Sequence, residues 1–160
     1  MIQQVGQEQF RVPKFCITVI CHTTHEILQG DIFLDVVETS RSLLQRVLDF
    51  FNASNPFFPI RISGTERPIL LRKDALIQVD ILQAMDPLET EMFGALTKKR
   101  MAILHLKSSG TVEVEIVLDL PDSYSRLLDL LSIGKPFLLG LIGEKYTLFN
   151  YQHIYKIEEP

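Results

Sequence analysis

The chain has 160 residues, 46% of them hydrophobic and 22% charged, a balance that excludes a disordered chain and leaves room for one ordinary domain or two small ones. Its 16 basic and 20 acidic residues give a formal net charge of −4, which opposes nonspecific attraction to phosphates, so any nucleic-acid role would need a local basic patch. No apolar run reaches the roughly 18 residues of a membrane span, because LLDLLSIGKPFLLGLIG is broken by Asp129, Gly134, Lys135 and Pro136. The start, MIQQVGQEQFRVPK, lacks the basic and apolar regions of a secretory signal; a cytoplasmic protein with no membrane contact is expected.

The first periodic segment, FCITVIC, reads as a strand. Cys16 and Cys21 are separated by an odd number of residues, so they project from opposite faces and stand roughly 16 Å apart, beyond disulfide reach. Reduced thiols are expected. CHTTH (21–25) reads as a polar hairpin turn: Cys21 and His22 point to opposite sides of the strand, and a closed zinc site takes four ligands, so no metal is expected. EILQGDIFLDV then reads as the returning strand.

Between Ser40 and Asn52 the period changes. At 100° per residue, Leu43, Leu44, Val47, Leu48, Phe50 and Phe51 fall in one apolar arc opposite Arg46 and Asp49, which predicts an amphipathic helix. Ser54 or Asn55 marks its end, and Pro56 prevents continuation. LLRKDALIQV (70–79) reads as a tight strand-turn-strand with Arg72 and Lys73 in the turn. In DPLETEMFGALTKKR, Asp86 as N-cap, Pro87 and Glu89 predict a helix over about 86–99, with Lys98, Lys99 and Arg100 at its negative end.

MAILHL and TVEVEIVLDL follow as a strand pair, the second with Val112, Val114, Ile116 and Leu118 on one face and Glu113 and Glu115 on the other. RLLDLLSIGKPFL (126–138) then echoes RVLDFFNASNPFF (46–58) without a gap, 80 positions later. Arg46/Arg126, Leu48/Leu128, Asp49/Asp129, Pro56/Pro136 and Phe57/Phe137 are identical, and a second helix is expected over Asp122–Ser132, ended by Gly134. LFNYQHIYKI (148–157) echoes LLRKDALIQV 78 positions later. The echo predicts an α+β, mainly β protein of two duplicated β-β-α-β-β modules, 1–82 and 83–160, each a small bent sheet or barrel with an amphipathic helix.

On these residues the chain resembles the Sm-like family, including its bacterial RNA-chaperone branch. DPLETEMFGALTKKRMAILHL looks like that family's helix and first strand, ITVICHTTHEILQGDIFLD like its first two strands, and LLRKDALIQV like its last strand-turn-strand. The resemblance implies a strongly bent five-stranded barrel and an RNA contact at the final turn. Of the family's Arg-Gly pair there, only Arg72 carries over. The chain is also similar to uncharacterised bacterial proteins with an R-L-x-D-x-L-N segment followed by F-L, for which no activity is implied.

No phosphate loop, dinucleotide fingerprint, nucleophile elbow or zinc-protease motif is present in the sequence, so no catalytic residue, cofactor or metal ligand is assigned. The basic clusters Arg72 with Lys73, and Lys98, Lys99 and Arg100, are candidate phosphate contacts but lack interleaved aromatics for base stacking. Tyr151 and Tyr155, in the aromatic C-terminal strands, are candidate protein contacts. The expected function is that of a non-catalytic interaction or scaffold protein that self-associates or docks a protein partner through open strand edges. The alternative is an Sm-like regulator binding RNA or a nucleotide, disfavoured by the net charge.

Overall fold

The computed structural model describes residues 14–35, 42–82, 98–118, 120 and 126–160. In chain order these form β1 (Lys14–Thr23), β2 (Ile27–Asp35), α1 (Leu43–Asn52), β3 (Phe57–Ile62), β4 (Ile69–Arg72) and β5 (Leu76–Ile81). They continue with β6 (Lys98–Leu106), β7 (Thr111–Leu118), α2 (Leu127–Ser132), β8 (Phe137–Ile142), β9 (Lys145–Asn150) and β10 (Ile154–Glu158). Single 3₁₀ turns, Lys73–Ala75 and Tyr151–His153, join β4 to β5 and β9 to β10.

Alternation makes β1: Ile17, Val19 and Cys21 are wholly buried while Cys16 is exposed, the pattern of a strand with one face on a core. The hairpin turn expected over CHTTH is narrower than that: Cys21, His22 and Thr23 still belong to β1, and the chain turns at Thr24, His25 and Glu26. The Thr23 hydroxyl accepts the Glu26 N–H at 2.9 Å and donates to the Glu26 carbonyl at 2.7 Å, and β2 returns in register as Cys21 faces Leu28. Helix α1 begins where the Ser42 hydroxyl accepts the Gln45 N–H at 3.1 Å, and it buries Leu44, Val47 and Phe51 as the apolar arc requires.

All ten strands lie in one antiparallel sheet with the order β10-β6-β7-β8-β9-β5-β1-β2-β3-β4. The expectation of an α+β chain of two β-β-α-β-β modules is therefore corrected to a mainly β protein with a continuous sheet and only one helix longer than six residues among the described residues. Two physical reasons account for the error. FFPIRI, which carries Pro59, lacks the look of a strand yet pairs with both β2 and β4. The joint between the halves is a β5–β9 ladder, a long-range pairing that no local pattern announces.

The helix expected at about 86–99 lies outside the described residues except for Lys98 and Lys99, which begin β6 instead. The predicted helix over Asp122–Ser132 is seen from Leu127; residues 121–125 lie outside the described set.

Within the sheet, neighbours recur in the same order: β5-β1-β2-β3-β4 in one half, β10-β6-β7-β8-β9 in the other. The narrow ladders recur as well, since β2 meets β3 only through Gly30↔Ile62 and Asp31↔Arg61, and β7 meets β8 only through Glu115↔Leu141 and Ile116↔Gly140. Each carries a glycine. A Cβ at Gly30 would lie 2.5 Å from the Arg61 carbonyl oxygen, and one at Gly140 would lie 2.5 Å from Val114 Cγ2, so both strands cross too closely for a side chain.

The larger core cluster gathers α1 and the first half's strands together with Val117, Phe137, Leu139, Tyr146 and Leu148 of the second half. Its centre is Phe51, whose ring centroid lies 5.1 Å from that of Phe50, 5.2 Å from Phe58 and 5.6 Å from Phe137. Phe51→Ala is expected to lower unfolding stability by about 3–5 kcal/mol, the range for emptying a wholly buried aromatic site, measured as a shift in the chemical denaturation midpoint.

Candidate functional site: the seam and the two end strands

The seam between the half-sheets is a short antiparallel ladder in which Gln78 faces Phe149, Val79 faces Leu148 and Asp80 faces Thr147. Leu148 and Val79 are wholly buried there. Asn52, the last residue of α1, spans the same joint: its side-chain oxygen accepts the Phe137 N–H at 2.8 Å and its amide donates to the Phe137 carbonyl at 3.3 Å. Across the sheet, the Asn150 amide donates to the Leu76 carbonyl at 2.9 Å.

One carboxylate organises this joint. Asp80 is only 5% exposed, yet its oxygens accept from Gln78 Nε2 at 2.8 Å, Lys145 Nζ at 3.1 Å and Thr147 Oγ1 at 3.2 Å, with His22 Nε2 at 2.9 Å. Burial pushes its pKa up, but the hydrogen bonds from Gln78, His22 and Lys145 outweigh burial and hold the carboxyl below its ordinary range. Lys145 and Thr147 come from the second half, Gln78 and His22 from the first, so the carboxylate ties the halves together.

Among the described residues the sheet ends at β4 on one side and at β10 on the other. Strand β4 exposes Ile69 and Leu70, and Phe57 of β3, which faces Arg72 in the same ladder, is exposed as well. Strand β10 exposes Tyr155, whose ring lies 5.9 Å from that of His105. Its Glu158 Oε2 lies 3.3 Å from His105 Nε2 and its Oε1 lies 3.5 Å from Lys156 Nζ. His105 and then Lys156 hold the Glu158 carboxyl below its ordinary range. Behind β10 an open groove is lined by Leu127, Leu128, Leu131 and Ile157, with Arg126 and Glu159 also on its wall.

The sequence-selected residues separate into different places. Arg72 ends β4, exposed, with its guanidinium 3.3 Å from Asp74 and 5.7 Å from the centre of the Phe57 ring. Lys73 is buried: its ammonium donates to the carbonyls of Phe50 at 3.1 Å and Ala53 at 2.9 Å, and to Asn55 Oδ1 at 3.1 Å, closing the C-terminal end of α1. Lys98, Lys99 and Arg100 lie on β6, second from the opposite end of the sheet order. Tyr151 sits partly buried in the second 3₁₀ turn and Tyr155 stands exposed on β10. The two basic clusters are thus not neighbours in the sheet.

Sequence reasoning weighed His22 only as a metal ligand and passed over Asp80. A lone acid in the apolar strand LIQVDI was the available signal. Among the described residues no cluster of three or more metal-ligating side chains occurs, and no helix is long and apolar enough to cross a membrane. Comparison with known protein families, curated proteins and solved structures finds no match to this chain.

Replacing the central carboxylate with the neutral amide, Asp80→Asn, is expected to cost about 1–3 kcal/mol at neutral pH. Because the folded pKa is depressed, that stabilisation is present above the ordinary carboxylate range and is lost as pH falls through the folded value. The gap between wild type and variant should therefore close below about pH 4 in acid-denaturation curves.

The thiols differ in the same region. Burial, followed by the nearby Asp80 charge, pushes Cys21 up to about 12, whereas Cys16 is exposed. A thiol reagent at pH 8 should modify Cys16 alone in the native chain and both cysteines after denaturation.

Proposed function

We propose that the protein is a non-catalytic interaction protein that takes up other polypeptide by strand addition at the ends of its sheet. The observation that carries this reading is Leu70, 70% exposed on the terminal strand β4. An apolar end strand with open backbone hydrogen-bonding groups is a template for another strand, and proteins that avoid such pairing place charge or proline on it. Here Ile69-Leu70-Leu71 occupies most of the strand. The only charge is at its end, on Arg72.

Support for the RNA-binding alternative is thinner. Lys73 is spent on the end of α1, Arg72 faces Asp74, and the Lys98–Arg100 cluster belongs to the other side of the sheet order. The edge-docking reading is tested by quantitative mass spectrometry of proteins captured on the wild-type chain and on Leu70→Lys and Tyr155→Asp variants. A specific partner should fall by about tenfold or more when its edge is altered, since losing one central apolar anchor costs roughly 2 kcal/mol. Recovery of every partner undiminished on both variants would exclude docking at either edge.

A further inference from the structure

The seam supplies a template for what the two end strands lack. The β-ladders define counterparts without reference to sequence likeness: Val79 faces Cys21 and Gln78 faces His22 on β5 and β1, while Ile157 faces Leu104 and Lys156 faces His105 on β10 and β6. His22 thus corresponds to His105, and Asp80 to Glu158. In the same way Phe57 faces Arg72 on β3 and β4, and Phe137 faces Asn150 on β8 and β9. Phe57 therefore corresponds to Phe137 and Leu70 to Leu148; Arg67 lies just before β4 and outside the ladder, and it matches Lys145 by standing the same distance along the chain from Leu70 as Lys145 does from Leu148. The two end strands, β4 and β10, are the counterparts of β9 and β5, the two strands that pair at the seam.

Burial differs sharply between counterparts. Leu148 is 0% exposed and Leu70 is 70% exposed; Phe137 is 2% exposed and Phe57 is 44% exposed. On the other side, Ile77 is 8% exposed and Tyr155 is 63% exposed. The apolar residues that the seam covers are the ones the end strands leave bare. The charges correspond as well. At the seam a histidine–carboxylate pair, His22–Asp80, is closed by Lys145 of the other half at 3.1 Å. At the end strand His105 and Glu158 stand 3.3 Å apart without the hydrogen bond that joins His22 to Asp80, and the counterpart of Lys145 is again a cation, Arg67, on the opposite edge of the sheet.

We infer that a second copy of this chain docks head to tail on the first, its β4 pairing antiparallel with β10 so that its Arg67 reaches the His105–Glu158 pair. The inference rests on the edge-docking reading above and names the occupant. By the register of the seam, Lys156 faces Leu71, Ile157 faces Leu70 and Glu158 faces Ile69 of the second copy. Phe57 and Leu70 of that copy enter the groove at Leu127, Leu128, Leu131 and Ile157, between Arg126 and Glu159, in the places that Phe137 and Leu148 hold in the cluster with Val47, Phe51 and Val79. Because β4 and β10 are different surfaces, each docked copy presents a fresh end strand. The product is a closed ring or an open filament, not an isologous dimer.

The full chain is tested by light scattering and sedimentation across the micromolar range, comparing wild type, Arg67→Glu, Glu158→Arg and the double reversal. Wild type is expected to form assemblies larger than one chain. Each single reversal, placing like charges opposite one another, should weaken association by about tenfold or more. The double reversal, which restores opposite charges, should bring association back to near the wild-type level. A monomeric wild-type chain, assemblies indifferent to both single reversals, or a folded double variant that fails to reassociate would each overturn the head-to-tail contact. Edge docking as such would survive any of these results if a different protein were still lost on Leu70→Lys, so the two readings fail separately.

Discussion

The architecture depends on a carboxylate that has been taken out of water. Asp80 stands at one end of the ladder that, among the described residues, joins the half-sheets, and its desolvation is offset only while donors from both halves surround it. This makes the seam selective about register. Slipping β9 by one residue would carry Thr147 and Lys145 away from Asp80 and turn Leu148 off the core, because strand side chains alternate with a period of two. An apolar ladder of the same length would tolerate such a slip more easily. The polar node thus supplies alignment, while the surrounding apolar residues supply most of the driving force.

Helix α1 turns this joint into a core. Its buried side, Leu44, Val47 and Phe51, rests partly on residues of the second half, and Asn52 makes two hydrogen bonds to the backbone of Phe137. Lys73 holds the end of the same helix from β4's turn. Helix α2 is shorter and differently placed in the energetics: it buries Leu127 and leaves Leu128 in solvent. The smaller core cluster beneath it, centred on Leu104, Ile116 and Phe149, is drawn, among the described residues, from the second half alone. Corresponding helices therefore face different environments, one roofing a filled joint and the other bordering an open groove.

What could be read from the sequence follows from the range of each interaction. The alternation of Ile17, Val19 and Cys21 and of Val112, Val114 and Ile116, the apolar arc of α1 and the turn at Thr23 are local patterns, visible within a dozen residues. The strand FFPIRI has no clear local signature because Pro59 argues against a ladder position, and the fold tolerates it because the β2–β3 ladder takes in only Arg61 and Ile62 of this strand. The sheet's continuity was invisible because Gln78↔Phe149 joins residues far apart in the chain. Lys73 shows a different limit: a basic residue in a turn reads as a surface contact, and only the fold reveals three oxygen acceptors converging on its ammonium. Asp80 and His22 were legible as residue types, but not as partners.

The seam and the proposed contact between copies share a geometry but not a free-energy balance. At the seam the two strands belong to one chain, so their encounter is intramolecular and carries a high effective concentration. Between copies the same ladder must offset the loss of translational and rotational freedom. The side chains at the end strands are also less favourable than their seam counterparts: Ile69 takes the place of Thr147, which hydrogen-bonds Asp80, and Lys156 takes the place of Gln78. The terminal carboxylate therefore has fewer neutral donors waiting for it and relies more on the charge of Arg67. A contact of that kind is weaker than the seam and more sensitive to salt, so assembly can be reversed at the end strands while the ten-stranded sheet of each chain stays intact.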